Sequence, residues 1–485
     1  MKTHGDFFAP RAWFWLAGLV VLVYLGTTGF LPILGRDEPR YVQIGREMLD
    51  SGDWITPRLG GFTWFEKPSL LYWMVAASFG VFGVNEWAAR FGPALCGLAS
   101  AVLVWWMTRK TSENWARWSA ISLASSGGLL AFSHGATFDI VLTFCVTLAL
   151  AAWWKANENA HKPNRFLALF WIGVGLAFLA KGLVAFILTL GTVGLYALMR
   201  RERVKLGFWW GLPLALATSA IWYVPVIGQN GGWSLGGAFI HEFFVQHHFQ
   251  RFTSDKFKHH QPFWFYVLEI LPLLALPWTP FLVVSLWKTR LQKLRDDSPQ
   301  ARLRTFALAW LVVTIGFFSL SGSKLPGYIL PALPAAFLLV GEVLSDWAKT
   351  AKRKKIGLAI GAATLIFVGV LTTTGPGVAR AERDSVRRLF QVAHQKKLAG
   401  LPVAFFRTTS RPAQFYAAPH LLYGADEEPL RLETVAQIEP LLAREPLLLL
   451  AKDEDLAELQ KADLCLESLA HNGELWLVLI RQKTR

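Results

Sequence analysis

Between Gly35 and Pro68 the sequence GRDEPRYVQIGREMLDSGDWITPRLGGFTWFEKP carries Asp37, Glu38, Arg40, Arg46, Glu47, Asp53, Arg58, Glu66 and Lys67 among Trp, Phe and Tyr, and it lies between two long apolar segments. Mixed charge of this kind suits two tasks. A carboxylate can act as general base on an incoming hydroxyl, and Lys and Arg can hold a phosphate and stabilise it as it leaves. Four later stretches carry the same residue types: His134 and Asp139 in HGATFDIVLTF, Lys181 between two apolar runs, the group His247, His248, Arg251, Lys256, Lys258, His259 and His260, and Lys324 with Tyr328 in SGSKLPGYILP. Carboxylates, cations and a phenol next to apolar segments fit a lipid substrate that bears phosphate. No nucleotide-binding fingerprint accompanies them.

The rest of the chain explains how such residues can be held together. Of 485 residues 53% are apolar, including 23 Trp and 35 Phe, and only 17% are charged, against roughly 25% in soluble domains. Apolar runs of bilayer-spanning length, about 20 residues, recur through the first three quarters. The candidate spans are 12–34, 86–107, 116–134, 138–154, 166–180, 182–199, 207–227, 263–287, 304–321, 328–345 and 356–374. The fold class expected is an α-helical polytopic membrane protein with about 11 or more transmembrane helices. Trp and Tyr near span ends read as interfacial belts. The three cysteines offer no disulfide framework, since Cys96 and Cys145 fall inside apolar segments and Cys465 stands alone. Lys2 and Arg11 precede the first apolar run without a small-residue cleavage site, which reads as a retained span.

A formal charge of +15 does not require a nucleic-acid partner here, because the basic residues gather in short connectors. These are Arg109 and Lys110; Lys155, Lys162 and Arg165; Arg200, Arg201, Arg203 and Lys205; Lys288, Arg290, Lys293 and Arg295; and Lys352 to Lys355. The positive-inside rule places them, with the N-terminus, in the cytoplasm. The stretches 35–85, 134–139, 180–182, 228–262 and 321–328 are then on the other side, where the chemistry-bearing residues meet. Ionisable groups near bilayer depth are costly unless paired or hydrated, and they mark functional cavities. Residues 375–485 alternate helix-like pieces (379–399, 434–444, 454–463) with short apolar runs (402–406, 446–451, 475–480). They read as a small extracytoplasmic α/β domain following a membrane domain of residues 1–374.

Simpler readings exist for single residues. Arg40 and Arg46 can pair with Glu38 and Glu47 on an interfacial helix, and Lys181 and Lys324 can snorkel to headgroups. The histidines of 241–260, with His247 and His248 foremost, can form a divalent metal site with Glu66 or Asp139, although no tight H-x-x-x-H pair is present; a metal stays open.

The stretch from Gly35 onward, together with TFDIVLTFCVTLAL, HHFQRFTSDKFKHHQPFWFY and SKLPGYILPALPA, resembles bacterial lipid-linked-sugar glycosyltransferases of the GT-C fold. The nearest named group is the 4-amino-4-deoxy-L-arabinose transferases that modify lipid A, within the protein O-mannosyltransferase-like superfamily. The likeness covers most of residues 30–345 in order. By position, Asp37 resembles the family's catalytic acidic residue and Asp139 its second one. Lys67, Arg251 and Tyr328 match positions around the polyprenyl phosphate, and Arg40, Glu66 and Lys181 line the same cavity.

The resemblance implies an inverting transfer from an undecaprenyl-phosphate sugar to lipid A or another glycolipid, at the periplasmic face of the bacterial inner membrane. Asp37 would be the general base for a hydroxyl acceptor and would orient substrate for an already ionised phosphate. The members of that group are longer than this chain. A protein acceptor is the same-chemistry alternative. A flippase for a lipid-linked saccharide is the rival of another class, but it lacks support from an inverted repeat or from acidic residues at the bilayer midplane.

Overall fold

A computed structural model describes residues 8–158, 163–234, 237–243, 261–289, 296–462 and 464–483. The chain divides into two compact units: Met1–Thr28, Phe65–Met74 and Arg90–Gly369 form the first, and Gly29–Trp64, Val75–Ala89 and Val370–Arg485 the second.

The first unit is helical. Among the described residues, seven helical segments of the chain are long and apolar enough to cross a membrane: Glu86–Thr108, Phe138–Glu158, Pro163–Lys181, Phe208–Gln229, Pro299–Ser319, Pro326–Trp347 and Ala351–Thr373. Ala12–Gly26 and Val184–Arg200 add shorter apolar helices. Phe138–Glu158 and Pro326–Trp347 are 83% buried over their apolar stretches, against 22% for Ala351–Thr373. The first two therefore form the interior of the unit, and the last turns its side chains outward. Burial divides the tryptophan set. Trp209 and Trp287 are exposed, but Trp153, Trp171, Trp222, Trp278 and Trp310 are fully buried. A buried indole usually finds a partner for its N–H; Trp171 donates to the Leu206 carbonyl at 2.8 Å and Trp278 to Ser125 Oγ at 3.1 Å, whereas the Trp310 N–H has none among the described residues.

Two expected spans are interrupted for local reasons. The run 116–134 splits into Glu113–Ala124 and Gly127–Ser133, because Ser126 adopts extended backbone and its hydroxyl caps the Leu129 N–H, as an N-cap serine does. The run 263–287 becomes a π-helical turn at Tyr266–Ile270, a short turn at Leu271–Leu274 and a helix at Thr279–Lys288. Pro272, Pro277 and Pro280 lie in that run, and a proline ring excludes a continuous ladder. The loop expected over 35–85 also contains an apolar helix, Leu70–Phe82, which at 13 residues falls below the window that detects spans.

The second unit contains a two-stranded hairpin, β1 (Arg58–Leu59) and β2 (Phe62–Thr63), and a five-stranded sheet. The sheet comprises β3 (Val403–Phe406), β4 (Arg431–Leu432), β5 (Leu447–Lys452), β6 (Cys465–His471) and β7 (Leu475–Arg481), in the order β4-β3-β5-β7-β6. β3 runs parallel to β4 and β5, and β7 antiparallel to β5 and β6. Leu448, Leu450, Phe405 and Leu477 face one core, and Leu447, Leu449, Phe406 and Val478 the other. Burial on both faces is why β5 reads as an unbroken leucine run instead of an alternating one. β4 and β6 had no such signal; β6 is half-exposed and carries Glu467, Ser468 and His471.

Candidate functional site

In the first unit, Asp139 occupies the first turn of Phe138–Glu158 and Lys181 the last turn of Pro163–Lys181. Their side chains form an ion pair and are 20% and 14% exposed respectively. That exposure admits some solvent, which the pairing requires less of than an isolated charge would. The Lys181 ammonium also lies 4.3 Å from the centroid of the Tyr328 ring, which is 5.3 Å from that of Phe318. A cation over an aromatic face is attracted to its quadrupole, so Tyr328 helps fix Lys181. Tyr328 sits in the 3₁₀ segment Pro326–Ala332. Gly327 before it has no room for a side chain, because a Cβ there would collide with the Asp139 carboxylate. The backbone of that turn therefore packs directly on the acid. Tyr266 steadies the turn by donating from its hydroxyl to the Leu325 carbonyl at 3.1 Å.

The same unit holds Glu66 and Lys67. The Lys67 ammonium lies 2.7 Å from Glu66 Oε1, with both side chains largely buried. The Phe65 N–H donates to Glu242 Oε1 at 3.2 Å, and the Tyr72 ring lies 5.2 Å from Phe138, the neighbour of Asp139. Lys324 is buried and donates from its ammonium to the Ser321 carbonyl at 2.7 Å. His134, at the C-terminal end of Gly127–Ser133, has both ring nitrogens occupied structurally, one 2.8 Å from Thr27 Oγ1 and the other 2.8 Å from the Leu130 carbonyl.

The second unit holds Asp37 and Arg40. Asp37 is the N-cap of Glu38–Ser51 but makes no side-chain capping bond. Its carboxylate pairs with the Arg40 guanidinium and is 52% exposed, so it is open to a ligand. Arg40 is fixed further by donating from Nε to the Arg36 carbonyl at 3.0 Å and by lying 5.2 Å from the Trp64 ring centroid. The pairings expected on this helix are corrected. Arg40 pairs with Asp37, not with Glu38, whose carboxylate instead accepts from the Leu34 N–H at 3.2 Å. Arg46 lies 3.5 Å from Asp50. Glu47 instead accepts from the N–H groups of Gly60 and Gly61 at 2.8 and 3.1 Å, clasping the hairpin. Gly60 has φ +63 and faces the Tyr423 ring, so that turn depends on a residue without Cβ.

A buried polar network also belongs to this unit. The Tyr416 hydroxyl donates to Glu86 at 2.9 Å and accepts from the Ile33 N–H at 2.8 Å, and Arg387 bridges Glu86 and Glu382. Burial, and secondarily the Glu86 charge, push the Tyr416 phenol above its usual range. Burial and then Glu47 do the same for Tyr423.

The sequence candidates thus form three groups: Asp139–Lys181–Tyr328 and Glu66–Lys67 in the first unit, and Asp37–Arg40 in the second. Arg251, His247 and His248 lie outside the described residues. Among the described residues no group of three or more His, Cys, Asp or Glu side chains is placed to hold a metal. Sequence reasoning missed Phe318, Tyr266, Trp64 and Glu242. Aromatic residues are too common in this chain for these to be singled out, and Glu242 sat unremarked beside a histidine-rich stretch.

Comparison with known proteins gives a consistent picture. The family model for dolichyl-phosphate-mannose-protein mannosyltransferase matches residues 34–226. An undecaprenyl phosphate-α-4-amino-4-deoxy-L-arabinose arabinosyl transferase of Pseudomonas fluorescens is 31% identical over 83% of this chain and 69% of its own length. A similarly named enzyme of Yersinia enterocolitica is 33% identical over 73% of this chain and 62% of its own. The crystal structure of ArnT from Cupriavidus metallidurans bound to undecaprenyl phosphate is similar in fold, with a TM-score of 0.78 at 20% identity over 96% of this chain and 97% of that one. The archaeal oligosaccharyltransferase AglB of Archaeoglobus fulgidus matches more distantly, with a TM-score of 0.55 at 13% identity over 93% of this chain and 70% of that one. The GT-C fold and the multi-pass inner-membrane character expected from the sequence are borne out. The chain belongs to the undecaprenyl phosphate-α-4-amino-4-deoxy-L-arabinose arabinosyl transferase family of membrane glycosyltransferases.

Proposed function

We propose that this protein transfers 4-amino-4-deoxy-L-arabinose from undecaprenyl phosphate to a phosphate-bearing glycolipid of the lipid A type. The observation that carries the reading is the Asp139–Lys181–Tyr328 cluster, a paired acid and base roofed by an aromatic ring, in a chain about one-third identical to enzymes named for that donor. Lys67, Lys181, Arg251 and Tyr328 hold the donor phosphate, and Asp139 and Glu66 keep the two lysines extended toward it. Asp37 fixes Arg40, whose guanidinium meets an acceptor phosphate that is already ionised, or Asp37 takes the proton of an acceptor hydroxyl. The sugar's C1–O bond breaks toward the phosphate while the acceptor oxygen attacks C1 from the opposite side.

The proposed topology has the N-terminus in the cytoplasm and residues 375–485 in the periplasm, after a membrane domain of residues 1–374. A second reading, transfer to protein hydroxyls, is favoured by the match of residues 34–226 to the protein mannosyltransferase model.

Purified protein given labelled undecaprenyl-phosphate aminoarabinose, with lipid A and a hydroxyl-rich peptide in separate reactions, tests both. Label in lipid A supports the leading reading. Label in the peptide alone replaces it with the second, and donor translocated across vesicles without transfer removes both.

A further inference from the structure

We infer that Lys324 and Ser323, on the turn before Tyr328, extend the donor-phosphate site with a subsite for the second negative charge that this phosphate acquires on release. The inference rests on the donor proposed above.

The charges around the first-unit cluster are not equal in standing. The Lys181 ammonium is paired with Asp139 and that of Lys67 with Glu66. Lys324 is 8% exposed, and among the described residues its ammonium has one partner, the Ser321 carbonyl at 2.7 Å, and no carboxylate. Beside it, the Ser323 hydroxyl is buried with no hydrogen-bond partner among the described residues. A buried ammonium and a buried hydroxyl with donors to spare are costly unless something occupies them. The same turn brings Gly327 against the Asp139 carboxylate and Tyr328 against Lys181, which sets Lys324 three residues from the first contact and four from the second.

Charge conservation says what the spare cation is for. The donor is a phosphodiester with one negative charge. When the bond from C1 to its oxygen breaks, the electron pair stays on that oxygen, and undecaprenyl phosphate departs as a monoester with two. With a phosphate acceptor, the new C1–O bond turns a dianion into a monoanionic diester, so the total is unchanged but one charge moves to the leaving group. Lysines already matched by carboxylates gain little from that shift. Of the three described lysines Lys324, with no carboxylate partner among the described residues, gains most, and a group that interacts more strongly with the departing charge than with the ground state raises the rate instead of tightening donor binding.

The test compares wild type, Lys324→Met, Lys324→Arg and Ser323→Ala in the purified full chain, measuring kcat, the donor KM and product inhibition by undecaprenyl phosphate, with inorganic phosphate as a second inhibitor. For Lys324→Met the expectation is a fall in kcat of about 100-fold, a rise in the undecaprenyl phosphate inhibition constant of about 30-fold and a donor KM within about threefold. Lys324→Arg should recover most of the loss, and Ser323→Ala should shift the same constants by about fivefold. Inhibition by inorganic phosphate that weakens in parallel assigns the subsite to the phosphate itself, whatever the lipid. Equal rises in KM and inhibition constant, unchanged constants, or an arginine variant no better than methionine would overturn the inference. If Lys324→Met does not fold, Ser323→Ala decides alone. If wild type transfers no sugar, the reaction assigned above fails; thermal stabilisation by undecaprenyl phosphate then reads the subsite independently, and a shift of equal size in wild type and Ser323→Ala rejects it.

Discussion

Asp139 and Lys181 are 42 residues apart in sequence and form one ion pair at the facing ends of two helices that pack along their length. Removing one partner strands the other in a largely buried place. Lys181→Met should lower stability by about 2 kcal/mol, below the ~3–5 kcal/mol of a fully enclosed pair because both side chains retain some solvent. A thermal melt in detergent measures this. The double variant Lys181→Met with Asp139→Asn should recover part of the loss, since no charge is then left alone.

Gly327→Ala drives a methyl group into the Asp139 carboxylate. Either the turn or the acid must move, and Tyr328 moves with the turn. The variant should fold with a stability cost of about 1–3 kcal/mol and lose transfer activity by at least about 10-fold. Activity at the wild-type level would show that the contact between turn and acid is dispensable.

Gly60→Ala tests the hairpin clasped by Glu47. The left-handed backbone at φ +63 and the Tyr423 ring above it both oppose a side chain. Together they should cost about 2 kcal/mol or more, read as increased proteolysis within residues 52–64. Glu47→Gln, which keeps an acceptor for the two glycine N–H groups, should cost less than Glu47→Ala.

Tyr416→Phe removes a buried hydroxyl bonded to Glu86 and to the Ile33 N–H, at a cost of about 1–3 kcal/mol near neutral pH. The folded phenol titrates above its ordinary value. Its contribution is therefore fully present below the unfolded tyrosine pKa of about 10 and is lost as pH rises toward the folded value. The difference in melting temperature between wild type and Tyr416→Phe should be constant from about pH 7 to 9 and shrink above about pH 10.

Much of this architecture was legible in the sequence because burial in a membrane protein leaves strong compositional marks. The apolar runs gave the helices, and the short runs 402–406, 446–451 and 475–480 gave the three inner strands of the sheet. Ionisable residues at span ends gave Asp139, Lys181 and Tyr328, which the fold brings together. The failures are local and physical. Ser126 and a set of prolines broke two spans that a hydropathy window treats as continuous, and Leu70–Phe82 was too short for that window. The partners of Arg40, Arg46 and Glu47 were misassigned because helix spacing alone does not reveal that a hairpin 13 residues further on offers two N–H groups to Glu47. That Lys324 has no carboxylate partner among the described residues, while Lys67 and Lys181 each have one, was invisible in sequence, where SKLPGY shows only that a lysine is present.

The part in sugar transfer proposed for Asp37 is open to a direct measurement. The measurement is the initial rate at which purified protein moves labelled sugar from undecaprenyl phosphate to lipid A, compared between wild type and Asp37→Asn at saturating donor. Asparagine keeps the size of the side chain while removing its charge and its pairing with Arg40. The rate should fall by about 100-fold or more with a melting temperature within a few degrees of wild type, because Asp37 is half-exposed and caps nothing with its side chain. Undiminished transfer by the Asp37→Asn protein would contradict it.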